Sequence, residues 1–436
     1  MAADTHASHL RVPFDQGNSA MNSTTIRVNL VSTNEGEFQP LGIASPAAYL
    51  RRKNYLVNTI DLSKETIGIL DADVLAFSVP IFGSIDSSVQ EASRARKEGF
   101  EGPIIFYNQY ATVQPETFLL DSRCHVILGE FEEVLCDVVD RVTANRPIEG
   151  APHVWSGQEV QPAKCFRRNE FFTPDRSTLP PLSAYARTNE GVIIGNVETM
   201  RGCAHDCTYC SVYAAYEKRV VKINEDAILQ DIQNVVRMGA RHITFIDADF
   251  FSTGKRGLAL IEKMKERFSS LSFDITCRLD DMLRYKTILE RFKQLGCVEI
   301  TTAVEFPKEE VLVAVVKKIT MQQTYDAIRL CQEIGIRLKP TFITYTPWIT
   351  KEDLAHFEAF IQEMNIADQV DTLQRQTRLL LYKGAPLLKT GVLDNIPLVE
   401  HSTYYEWIHH DEEVDTAYLS SLTPGTTGIK RCCIKG

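Results

Sequence analysis

The chain reads as an α/β protein made of two parallel-sheet units in series, and three observations predict this. Short apolar runs alternate with amphipathic segments from residue 26 to about 145. A second alternation of the same kind starts near Gly191. Between them, Asn145 to Pro181 is rich in proline and polar residues, as a linker is.

In the first unit, Ile26 to Val31, Tyr55 to Ile60, Val74 to Val79, Pro103 to Tyr107 and His125 to Leu128 predict strands. Pro46 to Arg52 predicts a helix, with Ser45 as its cap and Pro46 in its first turn. Ser87 to Glu98 predicts a second helix stopped by Gly99, and Glu130 to Val142 a third. In the second unit the expected strands are Val192 to Thr199, His242 to Ile246, Phe273 to Thr276, Val298 to Ala303, Leu338 to Thr344 and Asp371 to Leu381. Asn224 caps a helix with Ile228, Ile232, Val235 and Val236 on one face, ended by Gly239, and Thr320 caps another that ends at Gly335. Six β/α repeats suggest a barrel or partial barrel, in which chemistry sits at the carboxyl ends of the strands. The boundaries expected are a polar leader at 1–24, a first domain at 25–145, a linker at 146–190, the barrel at 191–385 and a C-terminal extension at 386–436.

Composition narrows the function. Of 436 residues, 44% are hydrophobic and 24% charged, ordinary values for a soluble globular protein. A net charge of -10 lacks the basic footprint of a nucleic-acid binder, so no nucleic-acid partner is expected. No apolar run approaches the roughly 20 residues that span a bilayer, and the first 25 residues hold no apolar signal core, so a cytoplasmic location and no membrane partner are expected. Eleven cysteines in such a chain are not a disulfide framework. Two groups of them need another account: Cys203, Cys207 and Cys210, and the adjacent pair Cys432 and Cys433.

The segment ETMRGCAHDCTYCSVY places three cysteines, with three and then two residues between them, after an expected strand and before an expected helix. Iron–sulfur clusters take thiolate ligands, usually four for a [4Fe–4S] centre, so three close thiolates leave one iron open for chemistry. A structural zinc site or core cysteines are the alternatives. Zinc calls for a fourth ligand, and His205 within the loop is poorly spaced to provide it.

CxxxCxxC with Tyr209 before the last cysteine resembles the signature of the radical S-adenosylmethionine (SAM) family. The segment GVIIGNVETMRGCAHDCTYCSVYAAYEKRVV resembles the cluster region of the subgroup that carries an N-terminal cobalamin-binding-like domain. PLGIASPAAYLRRKNYLVNTIDL, ADVLAFSVPIFGSI, GPIIFYNQYATVQPE and HVILGEFEEVL agree with that domain. The resemblance implies a Rossmann-like domain followed by a partial (β/α)6 barrel. It implies a [4Fe–4S] cluster on Cys203, Cys207 and Cys210, SAM as cosubstrate, and an electron donor such as flavodoxin or ferredoxin. It also implies SAM contacts from Tyr209 through its backbone, Asp247 and Asp249 after the second barrel strand, Arg278 after the third and Glu305 at the end of the fourth, with Thr344 and Arg378 on the fifth and sixth. For each lone charge, a solvated loop residue or a structural ion pair is the alternative. The DxHxxG segment that gives many cobalamin domains a histidine ligand to cobalt is absent here. A cobalamin-loaded domain and a cofactor-free scaffold both stay open.

The chain closes with Lys430-Arg431-Cys432-Cys433-Ile434-Lys435-Gly436. The neighbouring cations favour thiolates, and paired soft thiolates suit a thiophilic partner such as trivalent arsenic. A vicinal disulfide, a redox pair or an end without a role are the alternatives. The ending resembles the RCC-type tail of radical SAM enzymes that begin arsinothricin biosynthesis. That resemblance implies transfer of the 3-amino-3-carboxypropyl group of SAM to arsenite held by Cys432 and Cys433, with release of methylthioadenosine. Two other functions stay open: a cobalamin-dependent radical SAM methylase of a small molecule or peptide, and a thiol-based arsenite sensor.

Overall fold

The computed structural model describes residues 26–422, so Cys432, Cys433 and the whole of the expected leader lie outside the described residues. The first unit runs β1 (Arg27–Ser32), α1 (Leu41–Arg52), β2 (Leu56–Asp61), β3 (Val74–Ser78), α2 (Ile85–Lys97), β4 (Ile104–Tyr107), α3 (Gln109–Val113), β5 (Cys124–Ile127), α4 (Glu132–Thr143) and β6 (Val154–Trp155). Its sheet order is β2-β1-β3-β4-β5-β6, parallel except for the β5–β6 pair. β1, β3, β4 and β5 are buried almost throughout, as expected for strands covered on both faces. β6 is a correction to the expected linker, which contributes an edge strand to this sheet.

The start of α1 also differs from expectation. Pro46 lies inside the helix, not in its first turn, and Ser45 is a buried helical residue. Proline has no N–H to offer the carbonyl four residues back. Here the Tyr107 hydroxyl reaches from β4 and donates to that carbonyl, Gly42 O, at 2.9 Å. A long-range contact thus lets the helix begin a turn and more before its proline.

The second unit runs β7 (Ile194–Val197), β8 (Met200–Gly202), α5 (Ser211–Tyr216), β9 (Val220–Lys222), α6 (Glu225–Arg237), β10 (His242–Phe245), α7 (Arg256–Arg267), β11 (Ser272–Thr276), α8 (Leu279–Arg284), α9 (Lys286–Gln294), β12 (Cys297–Glu305), α10 (Glu309–Ala314), α11 (Met321–Ile334), β13 (Arg337–Phe342) and α12 (Lys351–Glu363). β7, β10, β11, β12 and β13 form one parallel sheet in that order. The expected helix ends hold: Asn224 accepts from Asp226 N–H, Thr320 forms a reciprocal box with Gln323, and Gly335 closes α11 in the left-handed region.

The expected sixth strand, Asp371 to Leu381, is replaced by short turns and a single parallel bridge between Tyr345 and Arg378. The Gln374 side chain takes the edge N–H of Phe342 at 2.7 Å, and its carbonyl accepts from the Thr344 hydroxyl at 2.5 Å. A side chain and a turn satisfy the edge groups that a strand would have paired. The chain continues into β14 (Leu381–Tyr382), β15 (Leu398–Glu400), β16 (Tyr404–Trp407) and α13 (Glu412–Ser421). These strands make a small antiparallel sheet, ordered β14-β16-β15, where the sequence pattern had faded.

Buried charges join the two units. Arg201 on β8 reaches Glu132 at 2.8 Å and Glu130 at 3.5 Å, and Arg168 from the linker reaches the same two carboxylates at 3.1 and 2.5 Å. Arg176, also in the linker, pairs with Asp231 of α6 and bonds to Gln39 and to Asn196 of β7. Burial alone would raise the Glu132 carboxyl, but Arg168 and Arg201 outweigh it and hold it at about 2. That depressed value stabilises the fold fully above the carboxyl's unfolded value near ~4.3, and the contribution is lost as pH falls through about 2. Urea midpoints should therefore fall steadily as pH drops below ~4.5. Glu132→Gln at neutral pH should cost about 3 kcal/mol or more, because it leaves buried guanidinium charge undercompensated.

Candidate functional site

The cysteine loop is fastened at both ends. Asp247, just past β10, accepts from Thr199 N at 2.7 Å, Thr199 Oγ1 at 2.6 Å and Met200 N at 3.0 Å, so its carboxylate holds the backbone entering the loop. Burial lifts that carboxyl to about 7, and the Thr199 and Met200 bonds oppose the rise. Gly202 sits at φ +83°, and a Cβ there would collide with the Arg219 carbonyl across the β8–β9 hairpin. Only glycine lets the two strands approach this closely just before Cys203. At the far end, Cys210 N donates to Cys207 O at 3.0 Å, a tight turn that brings these two residues together before α5 begins.

Around the sulfurs the charges are ordered. Arg278, after β11, donates to Cys207 Sγ at 3.2 Å, to Lys317 O at 2.7 Å and to Asp280 at 2.9 Å. Ser252 Oγ lies 3.9 Å from Cys203 Sγ and donates to Asp249 at 2.6 Å. Burial, followed by the Asp249 charge, pushes the Cys203 thiol up to about 11. A bound cation is what would favour the thiolate there. His205 Nε2 lies 3.5 Å from Asp249 and 3.4 Å from Asp281. Burial works against its charged form, but the two carboxylates prevail and raise its pKa. One ligand atom each from Cys203, His205 and Asp249 fall within 4.8 Å of one another.

Glu305 closes β12 at φ +66°, where the register against β13 shifts. Its carboxylate takes Lys317 Nζ at 2.6 Å and the Tyr209 hydroxyl. Lys317 is 3% exposed, and Glu305 outweighs the burial that would otherwise lower its pKa. Sequence reading passed over Lys317, although a lysine inside the apolar run VLVAVVKKIT is the signal that could have marked it.

A cavity of about 190 Å³ opens at the strand ends, with Tyr209, Cys210, Thr301 and Glu305 on the barrel side and Pro80 and Tyr110 on the side of the first unit. The Thr301 hydroxyl in its wall is buried with no hydrogen-bond partner among the described residues. Of the expected SAM contacts, Tyr209 and Glu305 line this cavity. Asp249 and Arg278 stand beside the sulfurs, and Asp247 faces the loop backbone. Thr344 is spent on Gln374 O. Arg378 turns to the C-terminal extension, pairing with Asp415 at 2.9 Å and lying over the Trp407 ring at 3.7 Å. Residues that the sequence did not single out complete the site: Lys317, Thr301, and Gln109 of α3, whose Nε2 donates to Ser211 Oγ at 2.7 Å next to Cys210.

Three cysteines on one loop, a guanidinium at one sulfur and a cavity that starts at Cys210 fit a [4Fe–4S] cluster with SAM beside it. Residues 197–361 match the family model of the Radical SAM superfamily. An uncharacterized methyltransferase of Pyrococcus horikoshii is 23% identical over 70% of this chain and 66% of its own length. The hopanoid C-3 methylase of Methylococcus capsulatus is 23% identical over 74% of this chain and 64% of its own. The match thus spans just under two thirds of these two relatives. Among solved structures, the cobalamin-dependent SAM radical enzyme OxsB, with aqua-cobalamin and SAM bound, superposes with a TM-score of 0.71 at 16% identity, covering 91% of this chain and 66% of that one. At that identity the likeness speaks to the fold. Among the described residues, no helix is long and apolar enough to cross a membrane.

Hydrogen bonds to the sulfurs help set cluster potentials. Arg278→Gln should keep the iron content but make the cluster harder to reduce. Loss of a charge-assisted bond of about 1.5–3 kcal/mol converts to a shift of at most roughly 130 mV, which a potentiometric EPR titration reads. The loop, the charges around it and the family match agree that this chain carries a radical SAM domain, whose cofactors are a [4Fe–4S] cluster and SAM.

Proposed function

We propose that the chain is a radical SAM transferase that moves a carbon group of SAM onto a small acceptor in the cavity between its two units. The observation that carries this reading is the shared cavity itself: barrel residues beside Cys210 make one wall, and Pro80, Ile81 and Tyr110 of the first unit make the other. When bound and reduced, the cluster supplies the electron that breaks a carbon–sulfur bond of SAM. The chain's own residues do the rest. Cys203, Cys207 and Cys210 hold the cluster, and the Arg278 guanidinium stabilises negative charge on Cys207. Lys317 and Tyr209 fix Glu305 at the cavity wall, and Thr301 offers it a free hydroxyl. Pro80, Ile81 and Tyr110 exclude water from the reacting carbon.

Two acceptor chemistries follow. Methyl transfer that uses cobalamin has the wider support, since the relatives include a methyltransferase and a methylase, and OxsB binds aqua-cobalamin. The first unit adopts the sheet order suited to a cofactor at its carboxyl edge, yet the space there is about 100 Å³, below the roughly 300–1,000 Å³ of sites for drug-sized ligands. The residues as they stand do not fit a corrinoid, so no step is routed through one.

Transfer of the 3-amino-3-carboxypropyl group to arsenite is the second reading, and the adjacent thiols Cys432 and Cys433 favour it. The path of the chain supports it. Gln376 donates to Ser421 O, and its neighbours Gln374 and Thr377 line the cavity.

Anaerobic turnover of reconstituted protein with SAM and dithionite, with or without arsenite and hydroxocobalamin, tests both. Methyl transfer yields S-adenosylhomocysteine and 5′-deoxyadenosine only when hydroxocobalamin is present. Aminocarboxypropyl transfer yields methylthioadenosine and a new arsenic-containing amino acid, lost in the Cys432→Ser/Cys433→Ser double variant with the cluster intact. Iron-loaded protein that cleaves no SAM under any of these conditions overturns the transferase reading.

A further inference from the structure

The cysteine loop has two edges. Cys210 lines the cavity shared with the first unit. At the other end of the loop Cys203 is half-buried, and Ala204 beside it is exposed. The loop thus has an inner edge on the cavity and an outer edge open to water.

Cations rim that outer edge. Lys318 reaches Asp206, the residue before Cys207, at 2.6 Å, and Lys218 reaches the same carboxylate at 3.3 Å. Arg284 stands 3.8 Å from Asp281, which lies 3.4 Å from His205 of the loop. Arg219 follows Lys218 and pairs with Glu217 at 2.9 Å. More than half of each of these four side chains is exposed.

The exposed balance of this rim is positive. Asp206 is shared by two lysines, and Glu217 by Arg219 and Lys164. Asp281 is buried beneath Arg284. The whole chain carries a net charge of -10, so the rim runs against its overall sign. Both exposed lysines also sit on backbone that side chains disfavour, Lys218 at φ +66° and Lys318 at φ +58°. Such conformations are costly and gather at functional sites. Val313 adds an apolar spot: it is 70% exposed, and its carbonyl accepts from Val316 N–H in the turn that leads to Lys318.

Each reductive opening of SAM uses one electron, so the site has to be reloaded from outside. The inner edge of the loop is occupied by the cavity, which leaves the outer edge for that approach. We infer that the rim of Lys218, Arg219, Arg284 and Lys318 is the docking face for an acidic one-electron carrier protein, which delivers its electron past Cys203 and Ala204. The inference rests on the transferase reading above and adds the face through which the electron enters. The carrier gives up one electron to the cluster and is itself oxidised, and no bond forms or breaks. A small face that attracts by opposite charge gives fast association and a short-lived complex, as a carrier that leaves after each transfer requires.

Anaerobic stopped-flow reduction of the full-length, cluster-loaded protein tests it, with reduced flavodoxin as the acidic carrier and reduced methyl viologen as a small cationic reductant. Lys218→Glu/Arg284→Glu reverses two rim charges and leaves Asp206 its Lys318 partner. Lys97→Glu/Arg146→Glu makes the same change in net charge at exposed cations of the first unit. At low salt, flavodoxin should reduce the parent about tenfold or more faster than the rim variant. The two rates should converge at about 1 M salt, where the screening length is ~3 Å. Methyl viologen should reduce the rim variant no more slowly than the parent, and the first-unit variant should match the parent with flavodoxin. Circular dichroism and iron content confirm folding and loading. A flavodoxin rate that is equal in the parent and the rim variant, or that does not fall with salt, overturns the docking face. An equal loss in the first-unit variant overturns it too. Protein that methyl viologen reduces but that cleaves no SAM overturns the transferase reading, while the flavodoxin rates still decide the face.

Discussion

The placement of the whole site depends on the buried contact between two carboxylates, Glu130 and Glu132, and two guanidinium groups, Arg168 and Arg201. Arg201 lies two residues before Cys203, so the loop that carries the three cysteines is held by carboxylates of the other unit. Glu132 opens α4, where the positive end of the helix adds to its stabilisation as an anion. Tyr216, closing α5 on the far side of the loop, donates to Glu130 at 2.9 Å. Both flanks of the cysteine loop thus report to one buried anion pair.

A buried network of this kind adds little net stability, because desolvation offsets most of its attraction. Its effect here is selective. A shift of one unit against the other would leave buried charge without a partner, at a cost of several kcal/mol per ion. The docking is therefore close to all-or-none, and a cavity built half from each unit keeps one shape. The Arg176 contacts to Asp231, Gln39 and Asn196 repeat the same logic beside the barrel.

This division of labour accounts for the character of the site. The barrel contributes the groups proposed to hold cofactors: three cysteines on the loop after β8, with Arg278 and Glu305 at strand ends. The first unit contributes a wall of Pro80, Ile81 and Tyr110 and the Gln109 side chain fastened to Ser211. The cavity wall is made of apolar and neutral polar groups, with Glu305 as the single carboxylate among the lining residues, and Glu305 is itself paired with Lys317.

What the sequence determined by itself was local. The CxxxCxxC spacing, the alternation of strands and helices, the caps at Asn224 and Thr320 and the stops at Gly99 and Gly335 all depend on residues within one helical turn or one loop of each other, and they were legible for that reason. What only the tertiary structure decided involves partners far apart in the chain. The early start of α1 needs Tyr107, 65 residues away, to supply the donor that Pro46 lacks. The sixth barrel strand is lost because the Gln374 side chain reaches the Phe342 N–H 32 residues before it. Glu305 meets the hydroxyl of a Tyr209 that lies 96 residues upstream, and Arg201 meets a Glu132 at a separation of 69. Periodicity carries no information about such pairs, since a charge reads the same in sequence whether it meets water or a buried counterion. Only the docking of the two units removes the water and so decides which charges hold the site.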